Sequence, residues 1–416
     1  MVVLIMGRNS ESCSGPSFYA GLMRLALFAC VIGCGNSPHG ATDAPILDAN
    51  ADGDNPSSLF RAKVDLAAPG NPTFVVLADV NGDGRLDVLT ANTNIATLSL
   101  FMNATATDAT TPEFGNATAI TVGRSPACVA VADFNGDGTL DLVTANVAAS
   151  SASVLFGIGG GAFMPHTDFT TGGSPEFVVV ADFDGDGKDD IATANDLDNT
   201  VSVLRNTTVA LAVTPTFATK LDLATGTVPI SLAAADLNGD GKPDLAAGNL
   251  TANSISVLLD TTTTMGTPTF ATHVDVATGM GPSALVLADV NGDGKPDLAV
   301  TDASDNAIAI LLDTTPANAT TPTFAAKVDV PTGAGPDGLA IGDLDGDGKM
   351  DLVTADFGAG SAGVLLAIGM TFAPHLDFAS GPRPRAVAIG DLNGDGKPDL
   401  VVANGETNTV SIFLAR

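Results

Sequence analysis

A nine-residue loop of one pattern occurs seven times in this chain of 416 residues: Asp, any residue, Asn or Asp, Gly-Asp-Gly, two further residues, and Asp. Each copy carries side-chain oxygens at positions 1, 3, 5 and 9. Glycines at positions 4 and 6 permit the tight turn that gathers these oxygens. Calcium takes roughly six to eight oxygen ligands in loose geometry. We therefore predict up to seven Ca²⁺ sites with these side-chain ligands: Asp79, Asn81, Asp83, Asp87; Asp133, Asn135, Asp137, Asp141; Asp182, Asp184, Asp186, Asp190; Asp236, Asn238, Asp240, Asp244; Asp289, Asn291, Asp293, Asp297; Asp343, Asp345, Asp347, Asp351; Asp391, Asn393, Asp395, Asp399.

The residues that follow the loop exclude an EF-hand. That motif needs a bidentate Glu at position 12 and a helix on each side, whereas position 12 here is Thr, Ala or Val. Position 9 instead opens a short run rich in branched residues, such as Asp399 to Val402. This composition is typical of a β-strand. The loop is therefore expected to connect two strands.

The spacing of the loops indicates a repeat protein. Successive copies begin 48 to 54 residues apart, which is the range of propeller blades and solenoids. Each unit contains a Gly-x-x-Pro turn, an apolar run, the loop, and three further candidate strands. Four antiparallel strands per repeat predict one propeller blade. The Thr-rich connections near residues 105–112, 207–216, 261–268 and 314–323 are expected to be solvated hairpin loops.

The two ends of the repeat region predict how the ring closes. The last repeat stops after its third strand, residues 410–414, whereas residues 60–66 match only a fourth strand and precede the first repeat. Pairing these segments would complete seven blades and leave no open sheet edge. We predict an all-β fold: a seven-bladed propeller of four-stranded antiparallel blades, closed by an N-terminal strand that completes the last blade.

The loop motif resembles that of FG-GAP or VCBS-type repeats, which also form the seven-bladed propeller of the integrin α-subunit. The resemblance covers residues 59–416. It implies calcium binding through positions 1, 3, 5 and 9 together with the backbone carbonyl of position 7. In this chain those carbonyls belong to Arg85, Thr139, Lys188, Lys242, Lys295, Lys349 and Lys397. Unlike integrins, the chain carries the motif in all seven repeats, so integrin-like adhesion does not transfer directly.

The N-terminal 58 residues have a different composition. An apolar run after Arg24 is too short to span a bilayer and is typical of a signal peptide. Its end, Val31-Ile32-Gly33-Cys34, resembles a bacterial lipobox, which implies that Cys34 is lipidated; a plain signal peptide is the alternative. We predict a lipoprotein signal over residues 1–33, a flexible tether over 34–58, and a place in the bacterial cell envelope, on the outer membrane or exported.

Charge and motif content restrict the function. The net charge of −30 is expected to repel nucleic acid and anionic membranes. No familiar catalytic motif is visible, so we expect no enzymatic activity. We expect a monomeric protein-binding, adhesion or scaffold module. The alternatives are a calcium-dependent lectin, although the repeats contain neither Trp nor Tyr, and, less favoured, a polysaccharide-degrading enzyme.

Two further sets of residues are candidate sites. His166, His273 and His375 recur beside an Asp, but Lys occupies the same place in other repeats, so a charged strand edge is favoured over zinc. The Gly-x-x-Pro turns should lie at the face opposite the calcium loops, and polar turns there are also expected simply because they are solvated. A partner protein or glycan that carries acidic groups would contact these residues: Arg124, Glu176, Asp337, Arg383 and Arg385.

Overall fold

The computed structural model describes residues 59–369 and 371–416. Within them, seven four-stranded antiparallel sheets form the blades of a propeller. The signal segment 1–33, Cys34 and the tether to residue 58 lie outside the described residues. No helix long and apolar enough to cross a membrane is found between residues 59 and 416 where the chain is described.

The strands recur with constant bounds, and blades are numbered 1 to 7 from the N-terminus. The first strands are Pro72–Ala78, Pro126–Ala132, Pro175–Ala181, Pro229–Ala235, Pro282–Ala288, Pro336–Gly342 and Pro384–Gly390. The second strands are Asp87–Asn92, Asp141–Asn146, Asp190–Asn195, Asp244–Asn249, Asp297–Asp302, Asp351–Asp356 and Asp399–Asn404. The third strands are Thr97–Phe101, Ser151–Leu155, Thr200–Leu204, Ser254–Leu258, Ala307–Leu311, Ser361–Leu365 and Thr409–Phe413. The fourth strands are Thr118–Thr121, Thr167–Thr170, Leu221–Ala224, Val274–Ala277, Val328–Pro331, Leu376–Ala379 and, for blade 7, Val64–Ala67. Blade 2 also has a 3-10 turn, Val147–Ala149, and blade 6 a short hairpin, Ala367–Ile368 with Thr371–Phe372.

The ring closes as the sequence predicts. Val64–Ala67 pairs antiparallel with Thr409–Phe413, with Val64 opposite Ile412 and Ala67 opposite Thr409. A further bridge joins Phe60 to Ala415. The first strand of blade 1 also contacts the first strand of blade 7, so the innermost strands contact one another all the way around. The described residues thus form seven complete blades.

The core lies between neighbouring blades. Every residue of all seven second strands is buried, because each of these strands is flanked by strands of its own sheet and faced by the adjacent blades. The apolar clusters accordingly combine residues of neighbouring blades. Phe74 of blade 1 also packs edge-on against Phe177 of blade 3 across the inner strands. Cys128 is buried in the same cluster. This packing stacks the blades without a disulfide among the described residues.

The Thr-rich connections are largely exposed hairpin loops, as the sequence predicts. Each leads from the third to the fourth strand and also contacts the nine-residue loop of the preceding blade. In blade 1 the Asp108 N–H donates to the Asn393 carbonyl at 2.9 Å, and the Asn393 side chain donates to the Ala109 carbonyl at 2.9 Å. The connections of blades 3 and 5 contact Asn135 and Asn238 in the same way, and in blade 4 the Gly266 N–H donates to the Asp184 carbonyl. These contacts between blades were not predicted, because strand patterns carry no signal for a contact between repeats.

Candidate functional site

The seven loops adopt one conformation, which blade 1 illustrates. Both oxygens of Asp79 accept backbone N–H groups, Oδ1 from Gly82 at 2.7 Å and Oδ2 from Gly84 at 2.8 Å. Asn81 Oδ1 accepts the N–H of Asp83 at 2.7 Å, and Asp83 Oδ1 accepts that of Arg85 at 2.9 Å. The loop's own amides therefore turn the side-chain oxygens of positions 1, 3 and 5 inward.

Three of these hydrogen bonds recur in all seven loops. The position 6 N–H donates to the side chain of position 1, the position 5 N–H to that of position 3, and the position 7 N–H to that of position 5. Glycines at positions 4 and 6 have positive φ in every copy, for example 78° at Gly82 and 88° at Gly84. A side chain would be strained there, which explains the two glycines of the motif.

The acidic residue at position 9 is an anchor for the blade. In blade 1, Asp87 Oδ2 accepts the N–H of Val80 at 3.2 Å, and Oδ1 accepts the N–H of Asn103 at 2.8 Å. The corresponding bonds occur in every blade. This carboxylate thereby joins the start of the loop to the end of the third strand. Sequence reasoning found the residue but missed this role.

Burial raises the pKa of every position 9 carboxyl, against the opposing effect of the two backbone amides. The pKa is about 6 for Asp87 and Asp297 and reaches about 8 for Asp190. It is about 7 in the other four blades, at Asp141, Asp244, Asp351 and Asp399. Two lone-pair positions remain on each carboxylate after the two amides are counted. A nearby cation would favour the ionised form.

In two loops three carboxylates converge. Asp182, Asp184 and Asp190 of blade 3 each offer an oxygen, all within 4.8 Å of one another, and the same holds for Asp343, Asp345 and Asp347 of blade 6. These are the two loops with Asp rather than Asn at position 3. The donor set consists of hard oxygens, which suits Ca²⁺.

The environment of Asp184 shows whether a cation fits the loop of blade 3. Its side chain is fully buried and its Oδ2 has no hydrogen-bond partner. The nearest positive group is Arg205, whose Nε lies 3.7 Å from that oxygen. Burial, followed by the charge of Asp186, raises the pKa of Asp184. A buried carboxylate oxygen without a partner is costly, and a cation shared with Asp182 and Asp190 would remove that cost.

Contact with the neighbouring blade divides the loops into two groups. Position 3 is buried in blades 2, 3, 4 and 7, where a connection from the next blade covers it. It is partly exposed at Asn81 and Asn291, and exposed at Asp345. The seven loops therefore differ in their cover as well as in the Asn or Asp at position 3.

The face opposite the loops brings together part of the predicted partner site. Arg385 Nη1 pairs with Asp337 Oδ2 at 3.0 Å, and Arg383 Nε lies 3.4 Å from Glu406 Oε2. Both guanidinium groups lie over the ring of Phe357, at 4.5 Å for Arg385 and 5.4 Å for Arg383. Phe357 was not predicted, because it is a single turn residue with no counterpart in the other repeats.

A cavity of about 320 Å³ lies beside these arginines. It is lined by Asn71, Asn94, Arg383, Arg385, Gly405, Glu406 and Asn408. Arg124 is exposed and is not one of the lining residues. Glu176 interacts electrostatically with Arg385, but burial raises the pKa of Glu176 to about 7, with Asp196 adding to the rise. The structure thus groups Arg383, Arg385 and Asp337, relates Glu176 to them, and leaves Arg124 apart.

Comparison with known proteins identifies the repeats. A family model described as FG-GAP-like repeat matches residues 79–144, 133–193, 182–247 and 289–354. A model of the FG-GAP repeat itself matches residues 384–413. Since the first model alone covers more than half of the chain, this protein belongs to the FG-GAP repeat family. No curated protein sequence matches the chain.

Solved structures share the fold at low sequence identity. Virginiamycin B lyase from Staphylococcus aureus aligns with 85% of this chain and 99% of its own, at 14% identity and a TM-score of 0.54. BBS1N, solved in complex with ARL6DN, aligns with 86% of this chain and 98% of its own, at 10% identity and 0.58. A lectin from Agrocybe aegerita that recognises non-reducing terminal N-acetylglucosamine aligns over 83% and 95%, at 17% identity and 0.52. An enzyme and binding proteins are thus among the neighbours, and the likeness concerns the fold alone.

Proposed function

We propose that the seven loops bind Ca²⁺ and that the propeller is a calcium-stabilised binding module for a partner protein. The FG-GAP propeller fold suggests a protein-binding module, and the calcium sites are the addition made here. The observation that carries it is the buried Asp184 carboxylate, whose Oδ2 has no hydrogen-bond partner and which converges with the carboxylates of Asp182 and Asp190.

The residues that would hold each ion are those at positions 1, 3, 5 and 9, with the carbonyl of position 7 as in similar repeats. Bound Ca²⁺ would supply positive charge to a site whose oxygens are already oriented by backbone amides. The protein's own contribution is this orientation, together with the position 9 carboxylate that ties the site to the third strand. Calcium would therefore stabilise blades rather than assemble them.

Equilibrium dialysis against ⁴⁵Ca²⁺ tests the sites directly. We expect several ions per chain, up to seven, with dissociation constants on the order of 10⁻⁴ to 10⁻³ M as in extracellular modules. Asp182→Ala/Asp184→Ala should remove one ion from the count. The matched control is Asp196→Ala/Asp198→Ala, a pair of acids in a turn outside the loops. No bound calcium, or an equal loss in both variants, would refute the proposal.

The partner surface is proposed to be the arginine cavity opposite the loops. The residue before the first strand has a positive φ in every blade, and in blade 7 this residue is Arg383, with a φ of 53°. The Arg383 side chain is 63% exposed, so its charge is accessible to a partner. A carboxylate-bearing segment of the partner would pair with Arg383 and Arg385 in bidentate fashion.

A binding assay with a fluorescent oligoglutamate peptide tests this surface. Arg383→Gly removes the charge and adopts the glycine of blades 5 and 6, so it should fold normally. We expect Arg383→Gly/Arg385→Ala to weaken peptide binding by about tenfold or more. Arg124→Ala, an exposed arginine away from the cavity, is the control. Equal binding by all three proteins would place acidic recognition elsewhere, and selective binding of a glycan array would favour the lectin alternative.

We also propose that the protein has no catalytic activity and that it is attached to the cell envelope through Cys34. These two parts of the proposal rest on the sequence alone. Replacing Cys34 with Ser should release the protein in soluble form, because a lipid and not a spanning segment would hold it. If labelled fatty acid were not incorporated into the wild-type protein, the proposed lipid attachment would be wrong. Turnover of a polysaccharide by the protein would contradict the proposed absence of catalytic activity.

A further inference from the structure

A row of hydrogen-bonded polar side chains crosses most blades, starting at the end of the second strand. There an Asn side chain donates to a Ser hydroxyl on the third strand, at 2.8 to 2.9 Å in five blades. In four of these the Ser hydroxyl donates to an Asp of the fourth strand, at 2.5 to 2.7 Å. In blade 4 the three residues are Asn249, Ser256 and Asp275. Such a row contains one charge and one bridging hydroxyl.

Blades 5 and 6 replace this row with a pair of acids. Blade 5 has Asp302 in place of the Asn and Ala309 in place of the Ser, and it keeps Asp329 on the fourth strand. Lys327 Nζ bonds both oxygens of Asp329, at 2.5 and 2.6 Å, and its charge also lowers the pKa of Asp302, against the larger effect of burial. In blade 5, the charge of Lys327 therefore compensates the two carboxylates of Asp302 and Asp329, which no hydroxyl bridges.

Blade 6 has the two acids without the lysine. Asp356 replaces the Asn, Gly363 replaces the Ser, and Asp377 is retained. The residue equivalent to Lys327 is His375. A Cβ atom at Gly363 would lie 2.6 Å from Asp356 Oδ2, so the absence of a side chain there allows the Asp356 carboxylate to approach the backbone of the third strand. The combination of Asp, Gly, His and Asp occurs in blade 6 alone among the seven blades described.

The three side chains lie close to one another. One ligand atom from each of Asp356, His375 and Asp377 lies within 4.8 Å of the others, and His375 Nε2 is 3.3 Å from Asp377 Oδ2. Ligands bound to one tetrahedral ion at about 2.0–2.2 Å are themselves about 3.3–3.6 Å apart. Ser361 donates to the other oxygen of Asp377 at 2.9 Å, which orients that carboxylate. The spacing suits a small divalent ion.

The polar atoms at this place lack hydrogen-bond partners. Asp356 is fully buried and neither of its oxygens has a hydrogen-bond partner; His375 Nε2 is also buried without a hydrogen-bond partner, and it faces Asp377 Oδ2 at 3.3 Å. The Thr354 hydroxyl and the Gly333 amide lie close enough to lower the pKa of Asp356, but burial outweighs them and raises it to about 6. An unpaired buried carboxylate needs a cation or a proton.

We propose that Asp356, His375 and Asp377 bind a divalent transition-metal ion of the zinc class, with water completing the coordination on the exposed side of Asp377. Imidazole nitrogen is a ligand of zinc, copper, iron and nickel, whereas Ca²⁺ takes oxygens. The site shares no ligand with the proposed calcium loops, so the proposal of a zinc site does not depend on calcium binding. Its place on the outer strand makes it a structural clamp between the second and fourth strands of blade 6.

Zinc binding to the full chain is measured in saturating Ca²⁺, so that the loops are occupied, by competition with a chromogenic chelator. Two variants copy patterns from other blades and should fold: His375→Lys copies blade 5, and Asp356→Asn/Gly363→Ser copies blade 4. The control is His273→Lys, which copies Lys220 of blade 3. His273 lies in blade 4, which has the hydrogen-bonded residues Asn249, Ser256 and Asp275. Circular dichroism confirms the fold of each.

We expect one Zn²⁺ per wild-type chain, with affinity at least about tenfold weaker or lost in both blade 6 variants and unchanged in His273→Lys. Co²⁺ substitution should give a visible absorption band in the wild type and in His273→Lys only. Absence of zinc binding, equal binding in all four proteins, or loss in His273→Lys would each overturn the proposal.

Discussion

The Ser411 hydroxyl donates a hydrogen bond to Asp65 Oδ1 at 2.6 Å, across a sequence separation of 346 residues. It links the third and fourth strands of blade 7, which come from opposite ends of the propeller. Phe60 strengthens the same junction, because its ring packs edge-on against Phe378 at 5.0 Å and Phe413 at 6.4 Å. The N-terminal strand therefore closes the ring through its backbone, its polar side chain and its aromatic anchor.

Removal of the closing strand should destabilise the whole ring. Phe60→Ala is expected to lower the free energy of unfolding by about 3–5 kcal/mol, as for other buried aromatic residues. Deletion of residues 59–68 should expose the edge of Thr409–Phe413 and cause aggregation. Leu197→Ala, at a side chain 74% exposed, is the control and should be nearly neutral. Chemical denaturation checks each; a monomeric deletion variant with unchanged unfolding would refute closure.

The position 9 carboxylate should contribute to stability even without metal. In Asp87→Asn one oxygen becomes an NH₂ group that faces a backbone N–H donor, which should cost about 1–3 kcal/mol in EGTA. Asp83→Asn, at an exposed position 5, keeps an oxygen for the Arg85 amide and should be neutral in EGTA while weakening calcium binding. Unfolding curves with and without calcium separate the two effects. Equal stability of both variants in EGTA would contradict the anchor role.

Cover by the neighbouring blade should slow amide exchange. Asn393→Ala removes the bond to the Ala109 carbonyl and should accelerate hydrogen exchange over residues 105–112 by about fivefold, which corresponds to the loss of one hydrogen bond. Asn291→Ala, in a loop that no connection covers, should leave those amides unchanged. Exchange followed by mass spectrometry resolves the segment. Identical rates in both variants would mean that the connection is held by other contacts.

Glu176 should make stability depend on pH. Burial raises its pKa from 4.5 to about 7, so the folded protein keeps a proton that the unfolded chain has already lost. Stability contributed by this group is therefore lost as pH rises from about 4.5 through 7. Glu176→Gln should be more stable than wild type by about 1–3 kcal/mol at pH 8 and equal at pH 4. Melting in saturating calcium checks this, with Glu406→Gln as an exposed control; a constant difference across pH would contradict it.

Local patterns predicted the fold well because each repeat carries its own strand, turn and loop signals. The Gly-Asp-Gly turn, the strands around Asp399 and the unpaired segment at residues 60–66 all point to the same ring. Relations between blades left no such signal. The contact of Asn393 with Ala109, and the arginine stack on Phe357, depend on which residues the ring brings together.

The ligands proposed for metal also differ in how visible they are in the sequence. The oxygens of the nine-residue loops are close in sequence, so their pattern is visible without a structure. Asp356 lies on the second strand of blade 6 and His375 directly precedes the fourth strand. Histidine two residues before aspartate also occurs in blades 2 and 4, where a neutral Asn stands in place of Asp356. Only the comparison of aligned blades shows that blade 6 has lost both its Asn and its Ser. For that reason the sequence favoured a charged strand edge at all three histidines.

Thermal unfolding in calcium and in EGTA tests the central claim most directly. A site filled at ten times its dissociation constant contributes about 1.4 kcal/mol, so several sites should together contribute several kcal/mol. Wild-type Tm should therefore be at least about 5 °C higher in excess Ca²⁺ than in EGTA, and Mg²⁺ should substitute poorly because it demands a stricter geometry. The Asp182→Ala/Asp184→Ala variant should show a smaller difference. Superimposable melting curves of the wild type in calcium and in EGTA would contradict the account.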